Sequence, residues 1–380
     1  MVLALALGTV VGMALLWPGE LESRLGGSLV NDSEKAEVLS IEEVPCPGFT
    51  SERCQLARVR LESGPDSGRA VRVPLSGGRL DPDLDPGDDI LVTEAPAPPE
   101  GAAPPIAGTG YSLYDFQRGT PMLLLAGLFV LVVLLFARMK GALSLVGLAV
   151  SLLVVVVFVV PAILDGKEPL AVAIVGSLAI ALVTIPLAHG LHAKSLAAIL
   201  GTCASLLLVA GLALIFTELT HLTGFSSEEA TFLQLGGGDL SLQGLLLAGM
   251  VIGALGVLDD VTITQASTVL ALRDADPSLR FRNLVARAMR VGRDHVSATV
   301  NTLVLAYVGA ALPVLLIFSS ADLSAGEVVN LELVAEEIVG TLVGSIGLIA
   351  AVPVTTVLAA ALALAAPPGT PEEGVALHAH

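Results

Sequence analysis

The stretch Gly253-Ala254-Leu255-Gly256-Val257-Leu258-Asp259-Asp260-Val261-Thr262-Ile263-Thr264-Gln265-Ala266-Ser267 sets two adjacent carboxylates inside a long apolar run, Leu240 to Leu270. A bilayer core is crossed by about 20 apolar residues, so this run is read as a transmembrane helix that tilts, breaks or extends beyond the lipid. At helical spacing Gly249, Gly253, Gly256, Asp260, Thr264 and Ser267 fall on one small, polar face. Small residues let a second helix approach closely, and a carboxylate in lipid is costly unless it is protonated, paired or wetted. The expectation is a buried pair, Asp259 and Asp260, on an ion or proton pathway. A packing role for Asp260, or a position shallow enough to meet water, stays open.

The rest of the chain fits that reading. Of 380 residues, 54% are hydrophobic and 14% charged, which does not describe a soluble surface. The formal charge of −17 excludes a nucleic-acid binder, which needs basic patches. Eight apolar runs are found: Met1 to Leu16, Pro121 to Ala137, Gly141 to Leu164, Leu170 to Ala188, Leu196 to Phe216, Leu240 to Leu270, Val296 to Phe318 and Val334 to Ala366. The fold class expected is an α-helical polytopic membrane protein of about eight transmembrane helices, with the seven later ones in residues 119–366. Basic residues gather in the short loops after even-numbered spans, at Arg138 and Lys140, at Lys194, and from Arg273 to Arg293. By the positive-inside rule both termini, including the tail 367–380, are cytoplasmic and residues 17–118 lie outside. The net acidity then divides into an anionic outer face, a basic inner face and the two intramembrane carboxylates.

Between the first two spans the composition changes. Short alternating runs at Ala36 to Val44, Leu56 to Leu61, Ala70 to Leu75 and Ile90 to Glu94, punctuated by Gly, Pro and Asp, read as strands of a small extracytoplasmic β domain over 17–96. Its size suits a compact OB-like barrel, and residues 97–118 read as a linker rich in Pro, Ala and Gly. Cys46 and Cys54 lie in this segment and are expected to form a structural disulfide. The acidic run Asp81, Asp83, Asp85, Asp88, Asp89 lacks the spacing of a calcium loop and reads as a solvated turn; no metal or cofactor is expected.

On the seventh span Asp294, Ser297 and Asn301 form a second polar face, continued by Thr302, and an Asn301 to Asp260 contact is expected. The eighth opens with Asn330, Glu332, Glu336 and Glu337, read either as an outer cation vestibule or as a solvated first turn. Between spans six and seven, residues 277–291 read as an interfacial amphipathic helix. Phe281, Leu284, Val285, Ala288 and Met289 make its apolar face, and Arg280, Arg282, Arg287 and Arg290 are placed to meet anionic lipid headgroups.

The blocks GALGVLDDVTIT, GRDHVSATVNTLVLAYVG and NLELVAEEIVGTLVGSIG resemble those of YibE/F membrane proteins from about Gly110 to Ala360. The family aspartate falls on Asp260, and Asp294, Asn301, Thr302, Tyr307, Asn330 and Glu332 also match. The resemblance implies a multi-pass protein of the bacterial plasma (inner) membrane. A fainter similarity, carried by Asp259-Asp260-Val261-Thr262 and Thr299 to Leu305, is to SecF and to half-units of proton-driven RND transporters.

Two functions follow as expectations. One is a proton- or cation-coupled secondary transporter of an unknown ion or small substrate; no G-x-x-x-x-G-K-[ST] motor motif is present, so coupling would use a gradient. The other is an envelope scaffold, assembly or sensing protein whose outer domain binds an envelope partner or a second copy. An enzyme is not expected. H-E-x-x-H and G-x-S-x-G are absent, and Gly236-Gly237-Gly238-Asp239 falls in an outer loop.

Overall fold

A computed structural model describes residues 1–19, 33–45, 53–75, 83–95, 110–226, 230, 232–233, 240–321 and 323–365. The chain forms two compact units, Met1–Arg24 with Phe136–His380, and Leu25–Leu135.

The smaller unit carries strands β1 Glu34–Pro45, β2 Arg53–Leu61, β3 Ala70–Leu75, β4 Asp89–Glu94 and β5 Tyr111–Phe116, all antiparallel, in the order β3-β2-β1-β4-β5. Alternate residues turn inward: Val73 and Leu75 of β3 meet Ile90 and Val92 of β4 and Val38, Val59 and Leu61 of β1 and β2 in one core. The register shifts between Val38 and Ser40, a bulge that bends β1. The sheet's two edge strands therefore feed the same core, Tyr111 of β5 joining Val73 and Leu75 of β3.

The four expected strands are present, but β5 lies inside the stretch read as linker 97–118, so the sheet reaches Phe116. The sequence Tyr111-Ser-Leu-Tyr-Asp-Phe116 is short and interrupted by Asp115. Pairing with β4, from Ile90↔Phe116 to Glu94↔Tyr111, makes it a strand. Cys46 lies outside the described residues, and so does its pairing with Cys54. The part of the acidic run that is described forms a turn: the Asp85 N–H donates to the Asp88 carboxylate at 2.8 Å, and Gly87 takes φ +100°. The Gly-Gly-Gly-Asp string and the tail 367–380 are also outside.

The larger unit is a helix bundle. In chain order its helices, with the one that leads into it, are α1 Val2–Leu16, α2 Gly119–Val154, α3 Val160–Leu164, α4 Pro169–His189, α5 Ala193–Leu219, α6 Leu242–Ala275, α7 Phe281–Ala310, α8 Leu312–Ser319, α9 Ala325–Val329 and α10 Glu332–Ala365. Within α2, Arg138 leaves helical geometry at φ 50°, ψ −129°, in the gap expected between the second and third spans. A π-helical turn, Val155–Val159, joins α2 to α3, where Pro161 has no N–H to continue the regular ladder.

Among the described residues five helices are long and apolar enough to cross a membrane: Gly119–Leu164 taken as one, α4, α5, α6 and α10. The α7–α8 pair qualifies only jointly and is bent by 61°, where Pro313 removes a backbone donor at the start of α8. At 15 residues α1 is about 22 Å long, short of a bilayer core.

Helices α5, α6 and α10 pack on one another, α4 packs on α6, and α7 packs on α10 and α6. Glycine makes the closest approaches: a Cβ on Gly201 would collide with Thr355, and one on Gly347 with Val209. Polar pins cross the same core. Thr202 Oγ1 and Thr262 Oγ1 are 2.8 Å apart, and Gln265 Nε2 donates to Ala288 O at 3.1 Å and to Thr356 Oγ1 at 2.7 Å.

The amphipathic segment 277–291 is not a separate interfacial helix. It begins at Phe281 and runs without a break into the seventh span as α7. Its apolar face is taken by the bundle, with Leu284 and Ala288 fully buried and Val285 and Met289 packed beside them. Arg280, Arg282, Arg287 and Arg290 remain exposed on the opposite face.

Candidate ion-pathway site

The carboxylates of α6 sit where three helices leave a gap. Packing Leu258, Val261, Thr262, Gln265 and Val269 into the core turns the face of Gly249, Gly253, Gly256, Asp260 and Thr264 away from it. Nothing lies within 4 Å of a Cβ built on Gly249 or Gly256. The small face expected to receive a neighbouring helix is thus the open one, while the larger side chains make the helix contacts.

The expected buried pair needs a matching correction. Asp260 is exposed and Asp259 half-buried, and no Asp or Glu is buried among the described residues. The pair borders a cavity of about 320 Å³ instead, lined by Ser144, Gly147, Leu148 and Ser151 of α2, Thr184, Ile185, Ala188 and His189 of α4, and Gly256, Asp259, Asp260 and Ile263 of α6. Although Asp259 as a residue is partly accessible, its Oδ1 is covered and has no hydrogen-bond partner. A covered, unpaired carboxylate oxygen beside a polar cavity holds an unmet capacity to accept a proton or a cation.

The Asn301 to Asp260 contact does not form. Asn301 is exposed and makes no hydrogen bond among the described residues, and Asp294 and Ser297 are exposed on the same face of α7. Thr302 is exposed and donates to its own helix at Ala298 O, 3.1 Å away. Thr264 is exposed and Ser267 half-buried. The second polar face stays exposed and does not join the carboxylates, while α7 approaches α6 at Gly292 and Tyr307. A Cβ on Gly292 would stand 2.8 Å from Gln265 Oε1, and one on Gly253 would stand 3.5 Å from the Tyr307 hydroxyl.

The acids at the start of α10 divide by role. Glu332 accepts from the Thr223 hydroxyl at 2.8 Å, the Gly224 N–H at 2.9 Å and the Thr223 N–H; Glu336 accepts from Ser226 Oγ at 2.5 Å. Both hold the loop that follows α5. Asn330 closes α9, donating to Gly326 O at 2.7 Å. Glu337 faces a cavity of about 330 Å³ between α7, α8 and α10, with Tyr307, Thr341 and otherwise apolar walls.

The walls contributed by α2 and α4 were not singled out from sequence. A signal exists: Ser144, Gly147 and Ser151 recur at i, i+3 and i+7, a small polar stripe like the one on α6. No group of three His, Cys, Asp or Glu side chains able to hold a metal occurs among the described residues.

The family model for YibE/F-like proteins matches residues 125–364. The chain belongs to the YibE/F-like family. The matched YibE/F-like region contains every residue of the cavity and stops short of the β sheet. No curated protein and no solved structure matches the chain.

Proposed function

We propose that this YibE/F-like membrane protein is a proton- or cation-coupled secondary transporter whose coupling groups are Asp259 and Asp260. The single observation carrying this reading is the three-helix polar cavity in which a covered carboxylate oxygen lacks a partner. Ionisable groups within spans mark ion pathways, because their desolvation cost is tolerated only where a cargo or proton offsets it. Glu337 is the outer acid that remains accessible to a cation, Glu332 and Glu336 being engaged by the loop.

The eight-span topology fits this reading when Gly119–Leu164 is divided at Arg138, the α7–α8 pair counts once, and the short α1 crosses a locally thinned bilayer. With basic residues inside, both termini are cytoplasmic and the β unit is extracytoplasmic, in a bacterial plasma membrane. The β unit is OB-like: the order β3-β2-β1-β4-β5, with both edges feeding one core, supports a closed small barrel. The exposed arginines of α7 suit anionic headgroups. The chain is not an enzyme on this reading.

Reconstitution in liposomes, with a pH-sensitive dye and a panel of cations, tests the proposal. Wild type moves protons or a cation down an imposed gradient; Asp260→Asn lowers the rate at least tenfold while eluting as a folded, monodisperse protein. A wild type that moves nothing under either gradient, or an Asp260→Asn protein that equals it, removes the transporter reading. Capture of an envelope protein by the β unit without any flux would favour a scaffold instead.

A further inference from the structure

We infer that the cavity between α2, α4 and α6 is a coordination site for a small, hard monovalent cation of the Na⁺ class, with hydroxyl oxygens of α2 and α4 as ligands beside the carboxylates. The inference rests on the transporter reading only for its purpose; binding itself is separable.

A Ser or Thr hydroxyl has one proton and two lone pairs. Ser151 Oγ donates to Gly147 O at 3.1 Å, and Thr184 Oγ1 donates to Ile180 O at 2.9 Å. Each spends its only proton on its own helix and presents lone pairs alone to the cavity it lines. Asp259 Oδ1 is covered and unpartnered, and Asp260 adds a second carboxylate. Ser144 makes no hydrogen bond among the described residues and can accept. Oxygen acceptors therefore line one cavity from three helices, which suits a hard cation and offers little to an anion.

Charge selects the valence. Only two carboxylates border the cavity, and no cluster of three metal-binding acidic, His or Cys side chains exists among the described residues. Calcium takes six to eight oxygens with several carboxylates among them, a set this cavity lacks. His189 from α4 lies at the cavity, with Lys140 of α2 and Lys194 of α5 close enough to His189 to act on it electrostatically. A proton and Na⁺ would compete for the same carboxylate oxygens, since either can occupy the unpartnered Asp259 Oδ1.

The test is radiolabelled ²²Na⁺ binding to the purified full chain in detergent, at fixed ionic strength with choline as the balancing cation. Saturable binding is expected, displaced by unlabelled Na⁺ and by lowering the pH, and not by choline. Thr184→Val and Ser151→Ala each weaken it at least fivefold, Asp259→Asn abolishes it, and Thr184→Ser, which keeps the hydroxyl, restores it to near wild type. Thermal unfolding of every variant confirms that it is folded. Absence of saturable Na⁺ binding overturns the inference, as does binding unchanged by both hydroxyl deletions, or stronger displacement by Ca²⁺ than by Na⁺ at equal concentration. Na⁺ binding without flux would sink the transporter reading alone, whereas proton flux without Na⁺ binding would sink this one alone.

Discussion

Gln265 shows what one side chain can decide in a bundle that sits in lipid. It lies in the same stretch as the carboxylates, but its amide is buried and joins α6 to the backbone of α7 and to Thr356 of α10. Replacing it with leucine keeps the volume and removes both donors. The Ala288 carbonyl retains its helical partner, so the cost expected is about 1–3 kcal/mol, seen as a lowered Tm in detergent; an unchanged Tm would show that the pin contributes nothing. At this scale the sequence was half legible. Periodicity correctly grouped Gly253, Gly256, Asp260 and Thr264 on one face, yet periodicity cannot say which face meets neighbours. In lipid, apolar side chains carry no inside or outside signal of their own, so the partners of the carboxylates, Ser144, Ser151 and Thr184, had to come from packing.

At the scale of elements, ends were more legible than contacts. Helix α6 runs 34 residues and stops at Asp276, ahead of Pro277. There the Asp276 carboxylate accepts from the Ser278 hydroxyl at 2.5 Å and from its N–H at 3.2 Å, with Arg287 3.6 Å away. The Ser278 hydroxyl first, then its backbone N–H and the nearby Arg287 and Arg273, hold the Asp276 carboxyl below its ordinary value. Because the folded value is depressed, the stabilisation is complete above the unfolded value and is lost as pH falls through the folded one. The protection factor for amide exchange at Ser278, measured by mass spectrometry against the intrinsic rate at each pH, should therefore fall below about pH 4, and Asp276→Asn should flatten that dependence. The amphipathic start of α7 was equally readable as a pattern. Its destination was not, because an apolar stripe of Leu284 and Ala288 fits a lipid surface or a protein groove equally well.

Over the whole molecule the decisive feature is a break. Arg138 holds φ 50° and ψ −129°, a region that costs a side-chain-bearing residue about 1–3 kcal/mol. Arg138→Gly relieves the Cβ strain, so a Tm equal to or above wild type is expected; a clear loss would mean that the guanidinium has a structural partner. The sequence by itself determined the mostly helical, apolar character of the chain, four of the five strands and the helix face bearing Asp260, because each depends on composition, turn chemistry or period over neighbouring residues. The fifth strand, the fusion of the amphipathic segment with α7, the capture of Glu332 and Glu336 by a loop, and the cavity that receives Asp259 and Asp260 were decided only by the tertiary structure. Each is a meeting of residues tens of positions apart, and which surfaces meet is settled by close packing at points such as Gly201 on Thr355 and Gly347 on Val209, where no local pattern names the partner.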